Sequence, residues 1–372
     1  KKSSKLKLQL IVTGTHLSSK FGHTIKDIIF DGFKINYKVK IPDKLDTSNS
    51  ILKSLSVGLS NFADPFYKLK PDLLLILGDR TEILIAAITA MIYRTPIAHI
   101  HGGELTEGSY DDAIRHSITK MAHLHFVATD IYKKRVIQLG EQHGRVFNVG
   151  GLGTENIKKM KFLSKENLEK KLNINFLDKN LLITFHPVTL EPQSSLFQIN
   201  ELMKALSYLK DTRLIFTMPN SDAENNLIFE KIIKFCKQNT NAKYFTSLGQ
   251  ANYFSCIRYV DAVIGNSSSG LIEVPSLKKC TINIGHRQEG RIKANSVIDC
   301  KPNYVSIRKA INKIYSKKYQ NKLKSSKNPY EVNFDTSKKI VKIIENKTSS
   351  TLLIKNFLDL SFNYVRRSIK KI

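Results

Sequence analysis

The chain has 372 residues, a length that predicts two or three domains. Hydrophobic residues make up 41% of it, which suffices for packed cores and argues against global disorder. No apolar run reaches the roughly 18 residues that a transmembrane helix needs, so the sequence predicts a protein outside the membrane.

The formal net charge of +27 comes from 59 Lys and Arg against 32 Asp and Glu. Residues 301–372 carry 18 of the basic and 4 of the acidic residues, and elsewhere Lys is scattered between apolar positions. Scattered Lys is typical of a solvated surface, so the charge does not favour a nucleic-acid partner. A positive surface would also attract anionic small molecules.

Cysteine usage points to a cytoplasmic location. The four cysteines stand 20 or more residues apart among apolar neighbours, at Cys236, Cys256, Cys280 and Cys300. No CxxC pair is present, so a structural zinc site is not expected, and isolated apolar cysteines are typical of a reduced core. The basic and then apolar N-terminus lacks a signal-peptide cleavage pattern.

Short aliphatic runs alternate with helical periods along most of the chain. The predicted strands are Leu6–Val12, Leu73–Leu77, Ile97–Ile100, Leu124–Ala128, Val146–Val149, Leu181–Phe185, Leu214–Thr217, Ala262–Ile264 and Thr281–Ile284. Predicted helices include Glu82–Tyr93, Asp111–Ala122 and Asp130–Leu139. Continuous apolar strands that alternate with helices predict parallel sheets covered on both faces, as in Rossmann-like doubly wound α/β folds.

A Lys-, Asn- and Glu-rich stretch at Phe162–Lys179 interrupts this series, and we place the domain boundary there. The predicted units are an N-terminal domain at 1–163, a C-terminal domain at 164–345 and a basic amphipathic helix at 346–372. Two α/β domains would face a cleft, which is a common ligand site. The terminal helix is expected to dock on a domain, with a membrane-surface helix as the alternative.

Polar residues follow the predicted strands of the first domain. Asp79 and Arg80 come directly after a buried strand, where doubly wound sheets bind ligands. Asp79 could instead cap the next helix, with Glu82 completing a capping box.

The segment from His99 to His116 is dense in ionisable groups. His101 and Glu104 follow the next strand, and one helical turn separates Asp112 from Arg115. Two imidazoles on one strand face make a metal site conceivable, but the set favours a proton-transfer cluster without metal.

The second domain offers an anion site. His186 ends one strand, and the turn Gly265–Gly270 follows another, with Asn266, Ser267, Ser268 and Ser269 as its polar residues. Small residues that open a helix can cradle a phosphate through free backbone N–H groups. Glu273 could accept from ribose hydroxyls, and Arg287 and Arg291 could neutralise a diphosphate.

Taken together, the motifs resemble the hydrolysing UDP-N-acetylglucosamine 2-epimerases, and more narrowly the bacterial members of sialic and legionaminic acid pathways. The resemblance runs from about Leu8 to Lys339 through VTGTHL, LGDR, HIHGGELTEG, DDAIRHSITKMAHLHFVATDIYKKRVIQLGE, FHPVT, GNSSSGLIEVPSLK and GHRQEGRIKANSVIDC. It implies two Rossmann-like domains in the glycosyltransferase-B-like arrangement, with a UDP-sugar in the cleft.

The resemblance also implies roles for individual residues. Acid–base groups fall on Asp79, Glu104, Asp112 and His186; sugar-side groups fall on His16 and Arg80; nucleotide contacts fall on Asn220, Ser267, Ser268, Glu273 and Arg287. The implied reaction converts UDP-N-acetylglucosamine and water to UDP and N-acetylmannosamine through a glycal, with no cofactor. A homodimer or homotetramer is the expected assembly.

Two departures from the family pattern stand out. The family's first strand, before the one that matches Leu6–Val12, is missing, which predicts an open sheet edge there and a poorly soluble or weakly active chain. His286 stands where sialic-pathway relatives usually have Asp, and the sequence after Tyr330 also differs. The open alternatives are a 2,4-diacetamido-2,4,6-trideoxyglucose substrate, a glycosyltransferase of the same architecture, or a non-catalytic nucleotide-sugar binder.

Overall fold

A computed structural model describes most of the chain. The described residues are 3–19, 22–42, 47–188, 190–191, 194–219, 225–347 and 350–360. Within these ranges the strands form three parallel sheets, and no helix is long and apolar enough to cross a membrane.

The N-terminal region contains two of these sheets. A pair joins β1 (Ile11–Thr13) to β2 (Tyr37–Val39), and a four-stranded sheet has the order β3-β4-β5-β6. The four strands are Leu74–Leu77, Ile97–Ile100, Leu124–Val127 and Val146–Asn148. The helices are α1 (Ile25–Phe30), α2 (Ser48–Leu69), α3 (Thr81–Ile92), α4 (Asp111–Met121), α5 (Asp130–Gln138) and α6 (Leu152–Lys159).

The C-terminal region forms one six-stranded parallel sheet. Its strands are β7 (Lys179–Thr184), β8 (Thr212–Thr217), β9 (Ala242–Phe245), β10 (Ala262–Gly265), β11 (Cys280–Ile284) and β12 (Val297–Cys300), in the order β12-β11-β10-β7-β8-β9. The helices are α7 (Lys165–Leu172), α8 (Ser194–Leu206), α9 (Asn225–Gln238), α10 (Gly249–Tyr259), α11 (Ser269–Ile272), α12 (Tyr304–Ile314) and α13 (Lys317–Lys324). The strand order reverses between β7 and β10, and doubly wound folds bind ligands outside the carboxyl ends at such a switch point.

Glycine is required at that switch point. Gly265 ends β10 with φ +140°, and a Cβ there would lie only 1.8 Å from the carbonyl oxygen of Thr184 in β7. Only glycine lets the two strands approach this closely with such a backbone. The polar turn that follows β10 is therefore anchored directly beside the end of β7.

The final helix, α14 (Thr336–Lys347), returns to the N-terminal region. Ile340 and Ile344 pack in a core cluster with Ala98 and Leu124 of the four-stranded sheet. The predicted domain at 164–345 is therefore wrong in its last part, since α14 packs on the other sheet. An amphipathic helix binds wherever an apolar surface is open, and sequence order does not decide which domain offers it.

The predicted helix at 346–372 is wrong for its described part after α14. A 3-10 turn spans Ser350–Leu353, and residues 354–360 contain no helix. The backbone N–H of Leu358 donates to the carbonyl of Gly140 at 2.9 Å, and Lys355 Nζ lies 2.9 Å from Oε1 of Glu141. Contacts with the first domain thus replace the local hydrogen bonds of a helix; residues 361–372 lie outside the described chain.

All nine predicted strands are present, β4 with the predicted ends and the others with shifted ends, and β2, β9 and β12 were missed. β9 and β12 are the two edge strands of their sheet, and their sequences AKYF and VIDC each contain a charged residue. The charged residue interrupts the continuous apolar run by which strands covered on both faces are recognised.

β1 is shorter than the predicted strand, because its pairing with β2 begins at Ile11 and residues 6–10 are in no strand of the described chain. Among the described strands β1 pairs with β2 alone and β3 with β4 alone, so each has one open edge. Leu75 and Leu77 of β3 are 48% and 50% exposed. An open apolar edge in this domain was predicted, and the structure places it on both β1 and β3.

Candidate active site

A single cavity of about 2240 Å³ collects polar side chains from both domains. It begins along the open edges of β1 and β3 and reaches the ends of the strands in the second domain. Its polar lining includes Thr13, His16, Asp79, Arg80, Thr106, Asp111, Ser268, Arg287, Gln288 and Arg291. His16, Asp79 and Arg80 of the first half and Ser268 and Arg287 of the second therefore meet at one site, whereas Glu104, Asp112 and Glu273 are not part of the cavity lining.

Glu104 lies at the centre of the first-domain cluster. Its Oε1 is 2.5 Å from Nδ1 of His101, and its Oε2 is 2.6 Å from Nη1 of Arg291. Burial would raise the pKa of Glu104, but the charge of Arg291 and the contact with His101 outweigh it and lower that pKa. Glu104 is therefore an anion at neutral pH.

The same contact sets the charge of His101. Burial would lower the pKa of His101, but the charge of Glu104 and the hydrogen bond to it raise that pKa overall. The backbone of His101 is left-handed, with φ +65°, and follows directly after β4. This turn directs a proton donor toward a carboxylate, and the pair has the composition of an acid–base couple.

Asp79 follows β3 through Gly78, and its carboxylate forms an ion pair with Arg115 of α4. Arg115 is 2% exposed and also donates from Nη1 to the carbonyl of Glu104 at 2.9 Å. The guanidinium therefore bridges the ends of β3 and β4. The alternative role of Asp79 as the cap of α3 does not hold, because the residue in the N-cap position is Arg80.

Asp112 is the third carboxylate of the group. Its Oδ1 accepts from the backbone N–H of Thr106 at 2.5 Å, and its Oδ2 lies 3.4 Å from Nε2 of His116. Burial would raise the pKa of Asp112, but the hydrogen bonds from His116 and Thr106 lower it. Asp112 is 24% exposed, far more than Glu104, and therefore more open to solvent or a ligand.

Two fully buried histidines, His99 and His125, have structural partners. His99 is fully buried, with Nε2 2.8 Å from the carbonyl oxygen of Gly78, and burial lowers its pKa to about 3. His125 is paired with Glu141 at 3.0 Å. His99 and His101 thus have different partners, and no group of three metal-ligating side chains occurs among the described residues.

In the second domain, Asn266 holds the end of β7. Its Oδ1 accepts from the backbone N–H of His186 at 2.7 Å, and its Nδ2 donates to the carbonyl of His186 at 2.8 Å. Asn266 is completely buried, so its side-chain amide supports the site rather than lying open to a ligand. His186 stands at the predicted strand end, but it is not part of the cavity lining.

The serine turn is less regular than predicted. Helix α11 covers only Ser269–Ile272, and a 3-10 turn at Val274–Leu277 follows it, so the helix dipole there is short. Ser268 lines the cavity, whereas the hydroxyl of Ser269 accepts from Tyr253 Oη at 3.1 Å. A Cβ on Gly270 would lie 2.6 Å from Thr281, so Gly270 serves packing. Ser267 is partly exposed in the same turn.

Two side chains of the next loop reach the same turn. Arg287 is 7% exposed, and its Nη1 donates to the carbonyl of Asn266 at 3.3 Å. Gln288 Nε2 donates to that carbonyl at 2.9 Å. Both line the cavity beside Ser268. The guanidinium of Arg287 and the hydroxyl of Ser268 therefore lie where an anion would bind.

Glu273 is enclosed between the domains. A Cβ on Gly153 of α6 would lie 2.2 Å from its Oε1, so glycine is needed for the approach. Desolvation raises the pKa of Glu273 to about 7, and a hydrogen bond with Ser269 opposes the shift. Near neutral pH this carboxyl group can donate or accept a hydrogen bond, as recognition of a hydroxyl requires.

His16 and Arg80 line the cavity on the first-domain side. His16 Nδ1 is 2.7 Å from Thr24 Oγ1, and Arg80 Nε is 3.5 Å from Oε2 of Glu82. Asn220 lies outside the described residues.

Thr106 was missed by sequence reasoning, because a threonine in a loop carries no signal of its own. Arg291 was assigned to a diphosphate, and only the tertiary structure pairs it with Glu104.

Residues 1–345 match the UDP-N-acetylglucosamine 2-epimerase family. The chain is 46% identical over 357 residues to a GDP/UDP-N,N'-diacetylbacillosamine 2-epimerase (hydrolyzing) of Campylobacter jejuni, across 95% of this chain and 92% of that protein. It is 44% identical over 331 residues to a polysialic acid biosynthesis protein of Escherichia coli, across 89% of this chain and 84% of that protein.

Among solved structures, the fold is similar to that of the UDP-GlcNAc 2-epimerase from Neisseria meningitidis bound to UDP-GlcNAc. The TM-score is 0.79 at 18% identity, across 93% of this chain and 94% of that one. The likeness supports the predicted glycosyltransferase-B-like architecture of two Rossmann-like domains. With the family match over residues 1–345, the chain belongs to the UDP-N-acetylglucosamine 2-epimerase family and is a UDP-sugar 2-epimerase.

Proposed function

We propose that this protein is a hydrolysing 2-epimerase that converts UDP-N-acetylglucosamine and water to UDP and N-acetylmannosamine. One observation carries the proposal: the same cavity is lined by the carboxylates of Asp79 and Asp111 on the first domain and by Arg287 and Ser268 on the second. The first element suits proton transfer, and the second suits a departing diphosphate.

The chemistry requires both elements. The C2 proton of an N-acetylhexosamine is poorly acidic, because no carbonyl adjoins C2 within the ring. Departure of UDP with the C1–O bonding electrons gives C1 positive character, and a carboxylate can then remove the C2 proton to leave a glycal. The oxygen of water adds at C1, and a proton returns to C2 from the opposite face.

Residue roles follow from charge and position. Asp79, Glu104 and Asp112 are the proposed proton-transfer groups, and His101, which contacts Glu104, can return a proton through the same cluster. Arg287 and Ser268 would stabilise the departing diphosphate. Inversion at C2 needs groups on both faces of the sugar, and a cluster of several carboxylates can supply them.

UDP-N,N'-diacetylbacillosamine is the second candidate substrate. The 46% identity to the Campylobacter jejuni protein favours it, while the 44% identity to a polysialic acid biosynthesis protein fits the sialic acid pathway for which the sequence resemblance implies the N-acetylglucosamine substrate. The reaction at C1 and C2 is the same for both sugars. Contacts at C4 and C6 of the sugar would decide between them.

One assay tests the function and separates the alternatives. Purified protein is incubated with UDP-N-acetylglucosamine, UDP-N,N'-diacetylbacillosamine or GDP-N,N'-diacetylbacillosamine, and NMR follows nucleotide release and the identity of the free sugar. Release of a manno-configured sugar without an acceptor supports the proposal. Transfer only to an added acceptor would indicate a glycosyltransferase, and binding without turnover a non-catalytic protein. A cytoplasmic location and a homo-oligomeric state stay predictions.

A further inference from the structure

An ion pair crosses from the second domain to the carboxylate cluster of the first. Arg291 and Glu104 are 7% and 2% exposed, and their closest charged atoms are 2.6 Å apart. Arg291 Nη2 also donates to Thr106 Oγ1 at 3.2 Å. The surrounding loops interlock, since the backbone N–H of Glu107 donates to the carbonyl of Glu289 at 3.3 Å.

This contact occupies the oxygen of Glu104 that His101 does not reach. A buried carboxylate is costly unless it is paired, and here the compensating full positive charge comes from the other domain. Burial raises the pKa of a carboxyl group. Without Arg291, His101 would be the main group that opposes this effect on Glu104, so the pKa of Glu104 would rise.

We propose that Arg291 is a positioning residue that holds the Glu104 carboxylate oriented and ionised for proton transfer, and that it acts on the reaction through Glu104. The inference rests on the proposed epimerase function, in which Glu104 transfers a proton. Arg287, in the same loop, has the different role of a diphosphate ligand, since it lies against the turn that follows β10.

The test compares Arg291→Met and Arg291→Lys with the wild-type chain for kcat, KM and UDP affinity as a function of pH. We expect Arg291→Met to lower kcat by about tenfold or more, while the Kd for UDP changes by less than about twofold. In the profile of kcat against pH, the midpoint on the acid side should move to higher pH, because Glu104 stays buried but loses an opposing charge. Arg291→Lys keeps that charge, so its midpoint should lie between those of Arg291→Met and the wild type.

A role as a phosphate ligand predicts the opposite pattern. The Kd for UDP would then rise about tenfold or more, and the midpoint on the acid side would not move; that result would overturn the proposal. Arg308→Met is the matched control, because this guanidinium stacks on Tyr208 at 5.2 Å and does not line the cavity.

A double-mutant cycle checks that Arg291 acts through Glu104. In a Glu104→Gln background, Arg291→Met should change kcat by less than about twofold, since groups that act as a unit are not additive. Full additivity would contradict the proposal.

The carboxyl ¹³C resonance of Glu104, assigned by its loss in Glu104→Gln, provides a readout that needs no activity. It should titrate at higher pH in Arg291→Met than in wild type, and an unchanged titration would overturn the proposal. If the wild-type protein turned over no nucleotide sugar, the proposed function would fail, while this titration would still test the pairing.

Discussion

Asn266→Ala should destabilise the second domain, although the residue was predicted to contact substrate. The substitution removes both side-chain hydrogen bonds to the backbone of His186, at 2.7 and 2.8 Å, in a residue that is completely buried. Asn266 is fully buried and its two hydrogen bonds to His186 are partly buried, so each backbone group of His186 left without its partner costs about 1–3 kcal/mol. The free energy of unfolding should therefore fall by about 2–6 kcal/mol, with a fall in Tm of at least about 4 °C.

Urea and thermal unfolding of the purified variant measure this loss. Asn239→Ala is the matched control, because its Nδ2 donates at 2.9 Å to one carbonyl at the end of α9 and the residue is only partly buried. We expect that control to lose about 1 kcal/mol or less. If Asn266→Ala unfolded within about 0.5 kcal/mol of wild type, the two hydrogen bonds would not anchor the switch point as argued.

Three further predictions concern catalysis, binding and pH. Glu104→Gln and Asp112→Asn should each lower turnover by about two orders of magnitude with UDP binding kept, and wild-type rates in both would exclude proton-transfer roles. Ser268→Ala combined with Arg287→Ala should weaken UDP binding in calorimetry, and unchanged affinity would remove the diphosphate assignment. Burial would raise the pKa of Glu141, but hydrogen bonds from its partners lower it to about 2. The ionised Glu141 therefore stabilises the folded state above the usual carboxyl pKa, and this stabilisation is lost as the pH falls toward 2. In Glu141→Gln, the free energy of unfolding should depend less steeply on pH between about 4.5 and 2 than in wild type. An unchanged slope of unfolding free energy against pH would refute this prediction.

Much of the site was predictable because strand ends are visible in the sequence. Short, mostly apolar runs identified β3, β4, β7 and β10, and parallel strands bring their carboxyl ends to one edge. The residues directly after each run were therefore the correct places to search. The edge strands β9 and β12 were missed, because a charged residue interrupts the apolar run of each.

What the sequence by itself determined is the fold class, the strand ends and the chemical types of residue that follow them, because hydrophobic periodicity is a local property. The tertiary structure alone decided which charges are paired. Arg291 was expected at a diphosphate and lies on Glu104, and Asn266 was expected at a ligand and holds the backbone of His186. It also brought α14 back to the first domain. Pairing across domains depends on distances between residues far apart in the chain, and the free energy of a buried charge depends on those distances.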